Sequence, residues 1–201
     1  MFITFEGPEG AGKTSVLEVV AQRLKKDGID CLVTREPGGI PISEAIRNVL
    51  LDQRYTNMDG VTEALLYAAA RRQHLIEKIE PALREGKLVL CDRFIDSSLA
   101  YQGVARNIGF DVVYEMNALA IGQMMPDHTL FFDLLPEEGL ARIYSNEERE
   151  KNRLDQEALS FHESVYEGYQ EVLRRFPERI DVIDASAPLE EVIESVYAQI
   201  K

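Results

Sequence analysis

The chain has 201 residues, 45% hydrophobic and 28% charged, with 22 lysines and arginines against 35 aspartates and glutamates. That length suits one ordinary domain able to bury roughly 70% of the surface its unfolded chain exposes, and the apolar content excludes wholesale disorder. The net charge of −13 argues against sequence-independent binding to nucleic-acid backbone, which needs a broad basic surface, but leaves room for local basic patches that hold small phosphates.

The predicted elements begin with an apolar strand, Phe2–Phe5, followed by an amphipathic helix, Thr14–Lys26. Strand Cys31–Thr34 leads into helices Ser43–Leu51 and Val61–Arg84, the second kinked or restarted at Pro81. Strand Leu88–Cys91, helix Val112–Gln123, strand Thr129–Phe132, helices Pro136–Tyr144 and Asp155–Phe176, strand Ile180–Ile183 and helix Leu189–Ile200 complete the chain. Short, continuously apolar strands alternating with longer amphipathic segments predict βα units around a parallel sheet covered on both faces. No repeat, low-complexity tract or long linker interrupts the pattern, so a single domain over residues 1–201 is expected.

The two cysteines, Cys31 and Cys91, fall inside apolar runs and read as buried small hydrophobes; without C-x-x-C spacing they make neither a disulfide framework nor a zinc site. The three histidines, His74, His128 and His162, form no ligand pattern. The N-terminus lacks the basic start and apolar stretch of a signal peptide, and no run approaches the roughly 18 apolar residues of a membrane span. A cytoplasmic protein without membrane association is expected.

Gly7-Pro8-Glu9-Gly10-Ala11-Gly12-Lys13-Thr14 fits G-x-x-x-x-G-K-[ST]. Glycines let backbone N–H groups turn inward around an anion, and the following helix adds its positive end. Lys13 is placed to reach the β- and γ-phosphates of ATP, and the Thr14 hydroxyl to ligate Mg²⁺. The strand before this loop and the helix after it supply the context such a loop requires. No Asn-Lys-x-Asp motif for reading guanine occurs, and the length suits a kinase of small metabolites better than a motor.

Strand Leu88–Cys91 runs into Asp92-Arg93. In open α/β sheets ligands bind beyond the carboxyl ends of strands, where Asp92 can orient Mg²⁺ or its water and Arg93 can hold an acceptor phosphate bidentately. The alternative is a surface ion pair of little energetic value. Glu63, Tyr67 and Arg71, spaced by four, share one helix face, and a ring and a guanidinium one turn apart can stack on a flat base and donate to its carbonyl. Their alternative is an exposed Glu–Arg face with a half-buried tyrosine. Ser98 and Gln102 form an i,i+4 pair, and an amide suits the O2 and N3–H edge of a pyrimidine.

Four segments, Thr34–Gly39 (TREPGG), Thr62–His74 (TEALLYAAARRQH), Asp92–Gly103 (DRFIDSSLAYQG) and Asn152–Glu157 (NRLDQE), resemble the thymidylate kinase family. The resemblance runs from Phe2 to about Tyr169 and implies a P-loop NTPase fold: α/β, a five-stranded parallel sheet flanked by helices, with a short lid over about residues 142–155. It implies transfer of the ATP γ-phosphoryl group to dTMP, giving dTDP for dTTP synthesis, with Mg²⁺. The implied catalytic residues are Lys13, Arg93, Arg149 and Arg153, and the metal residues Thr14 and Asp92. The implied ATP site is the phosphate loop Gly7, Pro8, Glu9, Gly10, Ala11, Gly12, Lys13 and Thr14; Arg142 and Asp184–Pro188 are placed on the adenine side from their position near strand ends.

For dTMP the resemblance implies Glu9 at the sugar 3′-hydroxyl, Glu36 and Pro37 (with Arg35 flanking the same turn) lining the acceptor site, and Arg47 and Arg93 at its phosphate. It also implies Leu51, Tyr67 stacked on thymine, Arg71 at O4, and Ser97, Ser98, Tyr101 and Gln102 along the nucleoside, Tyr101 filling the place of a 2′-hydroxyl. Arg142 to Arg153 carries four basic and three acidic residues. Because Gly10-Ala11 puts no arginine in the phosphate loop, the chain resembles members whose lid supplies the transition-state cation, here Arg149 or Arg153 with Lys151 in reserve; Arg153 has the alternative of a structural ion pair with Asp155. Phe94 departs from the tyrosine or histidine common after Asp-Arg, and Tyr67 from phenylalanine. A homodimer through apolar faces such as Val61–Ile79 is implied. The near alternative is a kinase of another nucleoside monophosphate or of a nucleoside; the alternative of another class is a nucleotide-binding module without transfer.

Overall fold

The computed structural model describes residues 1–145 and 153–201, except for the side chain of Asp155. Five strands form one parallel sheet: β1 Phe2–Glu6, β2 Cys31–Arg35, β3 Leu88–Asp92, β4 His128–Asp133 and β5 Ile180–Asp184, in the order β2-β3-β1-β4-β5. This is the α/β, five-stranded parallel architecture the sequence predicts. β1 is central and all five of its residues are buried, which matches the apolar Phe2, Ile3 and Phe5 on its two faces.

Every strand extends one residue past the carboxyl end expected from the sequence. Each ends in a charged side chain: Glu6, Arg35, Asp92, Asp133 and Asp184. Backbone pairing does not depend on the side chain, so the ladder continues through these residues, and a row of charges lies along the carboxyl edge where ligands of such sheets bind.

Helices α1 (Lys13–Lys26) and α9 (Leu189–Ile200) cover one face, packing Val16, Val20 and Leu24 with Val192 and Val196 against Ile3, Phe5 and Leu90. On the other face lie α3 (Gly60–His74), α4 (Glu80–Arg84), α6 (Phe110–Ile121) and α8 (Leu159–Arg175), around Phe2, Val89, Cys91 and Phe94. Helices α2 (Pro41–Leu51), α5 (Ile95–Ser98) and α7 (Pro136–Ser145) sit near the carboxyl edge. Cys31 and Cys91 are free and buried, as their apolar surroundings predict.

Three stretches differ from the sequence expectation. The long helix predicted over Val61–Arg84 is α3, then a π-helical turn at Leu75–Ile79, then α4 with Pro81 in its first turn. The wide turn precedes a proline that removes a donor and crowds the carbonyl four residues back. A second π-helical stretch, Leu99–Ala105, continues α5, so Ser97 to Gln102 do not lie on a regular α-helix. α8 presses on it where Gly168 faces Ala100; a Cβ on Gly168 would lie 2.7 Å from the Ala100 Cα. The helix predicted from Asp155 is a 3-10 turn at Arg153–Gln156 followed by α8 from Leu159.

Candidate active site

The phosphate loop leaves β1 at Glu6 and enters α1 at Lys13, its glycines Gly7, Gly10 and Gly12 having φ of +142°, +76° and +81°. Only glycine adopts such angles without strain. Lys13 is buried and its Nζ donates to the carbonyls of Gly7 (3.0 Å) and Pro8 (2.7 Å), folding back over the loop. Burial, and then the charge of Arg93, lower its pKa to about 8. The Thr14 hydroxyl donates to Asp92 Oδ2 at 2.5 Å, so the end of β3 meets the start of α1.

Arg93 follows with φ +68°, an uncommon angle for a side chain of this size. Its backbone N–H is held by the Phe5 carbonyl at 3.0 Å. Its guanidinium donates to the Gly7 carbonyl (3.0 Å), Ser97 Oγ (3.1 Å), Tyr169 OH (3.1 Å) and Glu9 Oε1 (2.8 Å), and lies 5.2 Å from the Tyr101 ring centre. Tyr101 OH also donates to Glu9 Oε1, at 3.2 Å. Glu9, Arg93, Ser97 and Tyr101 thus form one cluster beside the phosphate loop.

Beneath it lies Glu6, fully buried, accepting from the Phe94 N–H (2.6 Å), Ser97 Oγ (2.5 Å) and Tyr169 OH (3.0 Å). Burial, and then the charge of Asp96, raise its pKa to about 7. Asp96 is paired in turn with Arg179 at 2.6 Å. Neither Glu6 nor Tyr169 is among the sequence candidates. A charged residue at the end of a central strand is a usable signal for Glu6; a tyrosine in an amphipathic helix gives none.

A second cluster surrounds Arg71, which is 2% exposed. Its Nε donates to Glu36 (2.7 Å), one terminal nitrogen to Ser98 (3.0 Å) and Asn117, and the other to the Phe94 carbonyl (2.9 Å). Glu36 also meets His74 Nδ1 at 3.0 Å, and His74 Nε2 meets the Thr34 hydroxyl at 2.7 Å. Glu36 and Ser98 therefore hold the Arg71 guanidinium rather than standing free, and Phe94 packs edge-on to Phe2 at 5.0 Å beneath it. Among the described residues, four of the five guanidinium N–H groups are engaged and one terminal N–H remains.

One cleft of about 1220 Å³ joins these parts. Its lining includes Lys13, Thr14, Asp92 and Arg93 by the phosphate loop, then Pro37, Arg47, Leu51 and Tyr67, and a floor of the buried Arg71, Ser98, Tyr101 and Gln102 with Ser97. A single small-molecule site occupies roughly 300–1,000 Å³, so this cleft is large enough for more than one ligand. Arg47 donates to the Pro37 carbonyl at 2.9 Å, and Arg35 pairs with Glu44 at 2.8 Å. Arg142 also lines the cleft and donates to the Ala185 carbonyl at 3.0 Å, joining the two segments placed on the adenine side. Lys78, which the sequence reading did not single out, lines it too and reaches the Gly39 carbonyl at 2.9 Å.

Arg153 is brought elsewhere. It is 4% exposed, donating from Nε to the Leu50 carbonyl (2.9 Å) and from a terminal nitrogen to Glu63 (2.5 Å). It forms an ion pair with Glu63, 90 residues away in sequence, while the side chain of Asp155, the partner considered from the sequence, lies outside the described residues. Arg149 and Lys151 lie outside the described residues. Glu63 does share a helix with Tyr67 and Arg71, but it is wholly buried rather than part of an exposed face.

A family model described as thymidylate kinase matches residues 5–196. The thymidylate kinases of Bacillus licheniformis and Bacillus velezensis are 61% and 63% identical to this chain over 196 and 194 residues, covering 98% and 96% of it and 92% of each relative. The crystal structure of thymidylate kinase from Ehrlichia chaffeensis matches with a TM-score of 0.80 at 32% identity, over 100% of this chain and 98% of that one. Together with the P-loop NTPase architecture, these similarities establish that the chain belongs to the thymidylate kinase family of nucleoside monophosphate kinases.

Proposed function

We infer that the chain transfers the γ-phosphoryl group of ATP to the phosphate of dTMP, giving ADP and dTDP for dTTP synthesis. The observation that carries this reading is the placement of Lys13, the Thr14–Asp92 pair and Arg93 on one wall of a cleft that Tyr67, Arg71 and Gln102 share. Two polyanions must be brought together there. Lys13, Arg93 and Arg47 supply the positive charge that offsets their repulsion, within a partly enclosed site where electrostatic interactions are strong.

The guanidinium of Arg93 is held by Glu9 in this structure, and an acceptor phosphate would take over part of that role bidentately. A phosphate oxygen is already nucleophilic, so the transfer needs positioning and charge stabilisation and no strong general base. Tyr67 flanks the base, Arg71 donates its remaining N–H to a base carbonyl, Tyr101 and Glu9 lie along the sugar, and Arg142 with Asp184–Pro188 lies on the adenine side.

The Thr14 hydroxyl and Asp92 carboxylate offer two adjacent hard oxygen donors, which fits Mg²⁺, an ion that keeps waters and substrate phosphates as its other ligands. When bound, the ion neutralises phosphate charge. With no arginine in Gly10-Ala11, a transition-state cation from Arg149 completes the charge balance, and residues 142–155 act as the lid of a single domain. Arg153 would serve only after leaving Glu63. Exposed Val61 and Leu65 on α3 and Val112 and Leu119 on the neighbouring α6 support a homodimer, to be tested by light scattering of Leu119→Glu against the unmodified chain. No described helix is long and apolar enough to cross a membrane, and the reaction belongs to the cytoplasm.

ADP release with Mg·ATP and a panel of dTMP, dUMP, UMP, dCMP, dAMP and dGMP tests the reading. Strong preference for dTMP is the expected result, and absence of ATP-dependent turnover of dTMP would sink it.

A further inference from the structure

Glu63 sits on α3, 0% exposed, behind the wall of the cleft rather than on it. Its Oε1 accepts from Gln102 Nε2 at 2.8 Å and from Arg106 Nε at 3.3 Å; its Oε2 accepts from Arg153 at 2.5 Å and Arg106 at 3.3 Å. Burial pushes this carboxyl up, but Arg106 and the hydrogen bonds from Arg153 and Gln102 more than offset it, so its pKa lies below the ordinary value. The group stays ionised and can only accept.

That has a consequence for Gln102, whose amide could otherwise point either way. Turned over, its oxygen would face a buried carboxylate, an unpaired and repulsive contact. Gln102 lines the cleft and is 2% exposed. With Nε2 fixed on Glu63, the oxygen is the amide atom turned away from that carboxylate. Nearby on the same floor, Arg71 is fixed by Glu36, Ser98, Asn117 and the Phe94 carbonyl and can only donate.

We propose that Glu63 is a positioning residue for base specificity: by anchoring Gln102 Nε2 it sets the hydrogen-bond polarity of the floor as a fixed acceptor at Gln102 and a fixed donor at Arg71. This pattern complements a base edge with a ring N–H beside a carbonyl, as in thymine and uracil. Cytosine presents the reverse, a bare ring nitrogen beside an amino group, and meets acceptor with acceptor and donor with donor. Discrimination against dCMP is then set in part by a residue that touches no nucleotide. The inference deepens the dTMP reading above and rests on it.

The test is the ratio of kcat/KM for dTMP to that for dCMP. In Glu63→Gln the neutral amide at 63 can either accept or donate, Gln102 is free to turn over, and the ratio falls by about tenfold or more. Arg106→Lys disturbs another partner of Glu63 but keeps the positive charge that holds the carboxylate ionised, so Gln102 stays anchored and the ratio is unchanged; a general structural role for Glu63 would lower the ratio in both. The exchange variant Glu63→Gln/Gln102→Glu keeps one carboxylate in the 63–102 pair and restores an acceptor at 102, so its ratio returns to within about threefold of the unmodified chain. It also carries the test if Glu63→Gln alone does not fold. An unchanged ratio in folded Glu63→Gln, or a collapsed ratio in the exchange variant, overturns the proposal. Failure of the unmodified chain to turn over dTMP at all would instead overturn the substrate reading.

Discussion

Gly10 and Gly139 meet backbone to backbone: a Cβ on Gly10 would lie 2.2 Å from the Gly139 carbonyl oxygen, and one on Gly139 would lie 2.2 Å from the carbonyl oxygen of Glu9. Gly10 also needs its φ of +76°, whereas Gly139 is an ordinary helical residue in α7, so close approach alone demands glycine there.

Gly139→Ala must therefore push α7 and the phosphate loop apart. A misplacement of about 1 Å at a reacting centre costs on the order of a hundredfold in rate, while alanine favours the helix by about 1 kcal/mol. The expected outcome is a ten- to hundredfold loss of kcat/KM for ATP, larger than the loss for dTMP. Steady-state kinetics alongside thermal melting checks this, and unaltered ATP kinetics in a folded variant would refute the coupling.

Arg93→Lys keeps a positive charge but loses the planar fork that reaches Gly7, Ser97, Tyr169 and Glu9 together. Loss of a preorganised charge donor of this kind costs about 10²–10³ in rate. The decline should appear in kcat/KM for dTMP, measured by ADP release. A loss under threefold would mean that Arg93 is structural.

Glu6 gives the protein a pH dependence whose sign follows from its environment. Its folded value, about 7, lies above the ordinary 4.5, so between these values the folded state holds a proton that the unfolded chain releases. Stability therefore falls as pH rises from 4.5 to 7, and the loss is complete above 7. The charges facing Glu6 include Asp96 on α5, Arg93 after β3, Lys13 on α1 and Arg179 before β5, with Ser97, Tyr169 and the Phe94 N–H as hydrogen-bond donors. Melting curves of Glu6→Gln and the unmodified chain, taken from pH 5 to 8, should diverge in that window, the glutamine variant changing less. Parallel curves would show that Glu6 stays in one protonation state.

Asp92→Asn removes the one negative charge of the Thr14–Asp92 pair and leaves only neutral oxygen donors. Activity should then require about tenfold more Mg²⁺ for half-maximal rate, and removing divalent ions with a chelator should abolish turnover in both forms. Titration of MgCl₂ at fixed ATP reads this out, and an unchanged midpoint would remove Asp92 from the metal site.

The legible parts of the site were those whose chemistry is local. The phosphate loop reads from eight consecutive residues because glycine angles, a helix start and one lysine define it. Asp92-Arg93 reads from its place after an apolar strand. The strands themselves read from their apolar runs, each one residue short at its carboxyl end because polarity changes before backbone pairing ends. Other features resisted. The π-helical stretches at Leu75–Ile79 and Leu99–Ala105 differ from α-helix by a small shift in hydrogen-bond register that composition does not encode. Glu36, read from the resemblance, and Ser98, read from spacing and resemblance, both line the cleft, but their role in holding Arg71 was not legible, nor was the hold of Glu63 on Gln102, Arg106 and Arg153.

By itself, then, the sequence determined the alternation of strand and helix, the anion-binding loop and the identity of the charges at the strand ends, because each follows from neighbours along the chain. Only the tertiary structure decided the order β2-β3-β1-β4-β5, which sets Asp92 beside Thr14 across 78 residues, and the choice of partner for each buried charge. A buried charge must be paired wherever the fold brings it. That partner is selected by competition among all groups the packing brings within reach, and no spacing rule along the chain contains that competition.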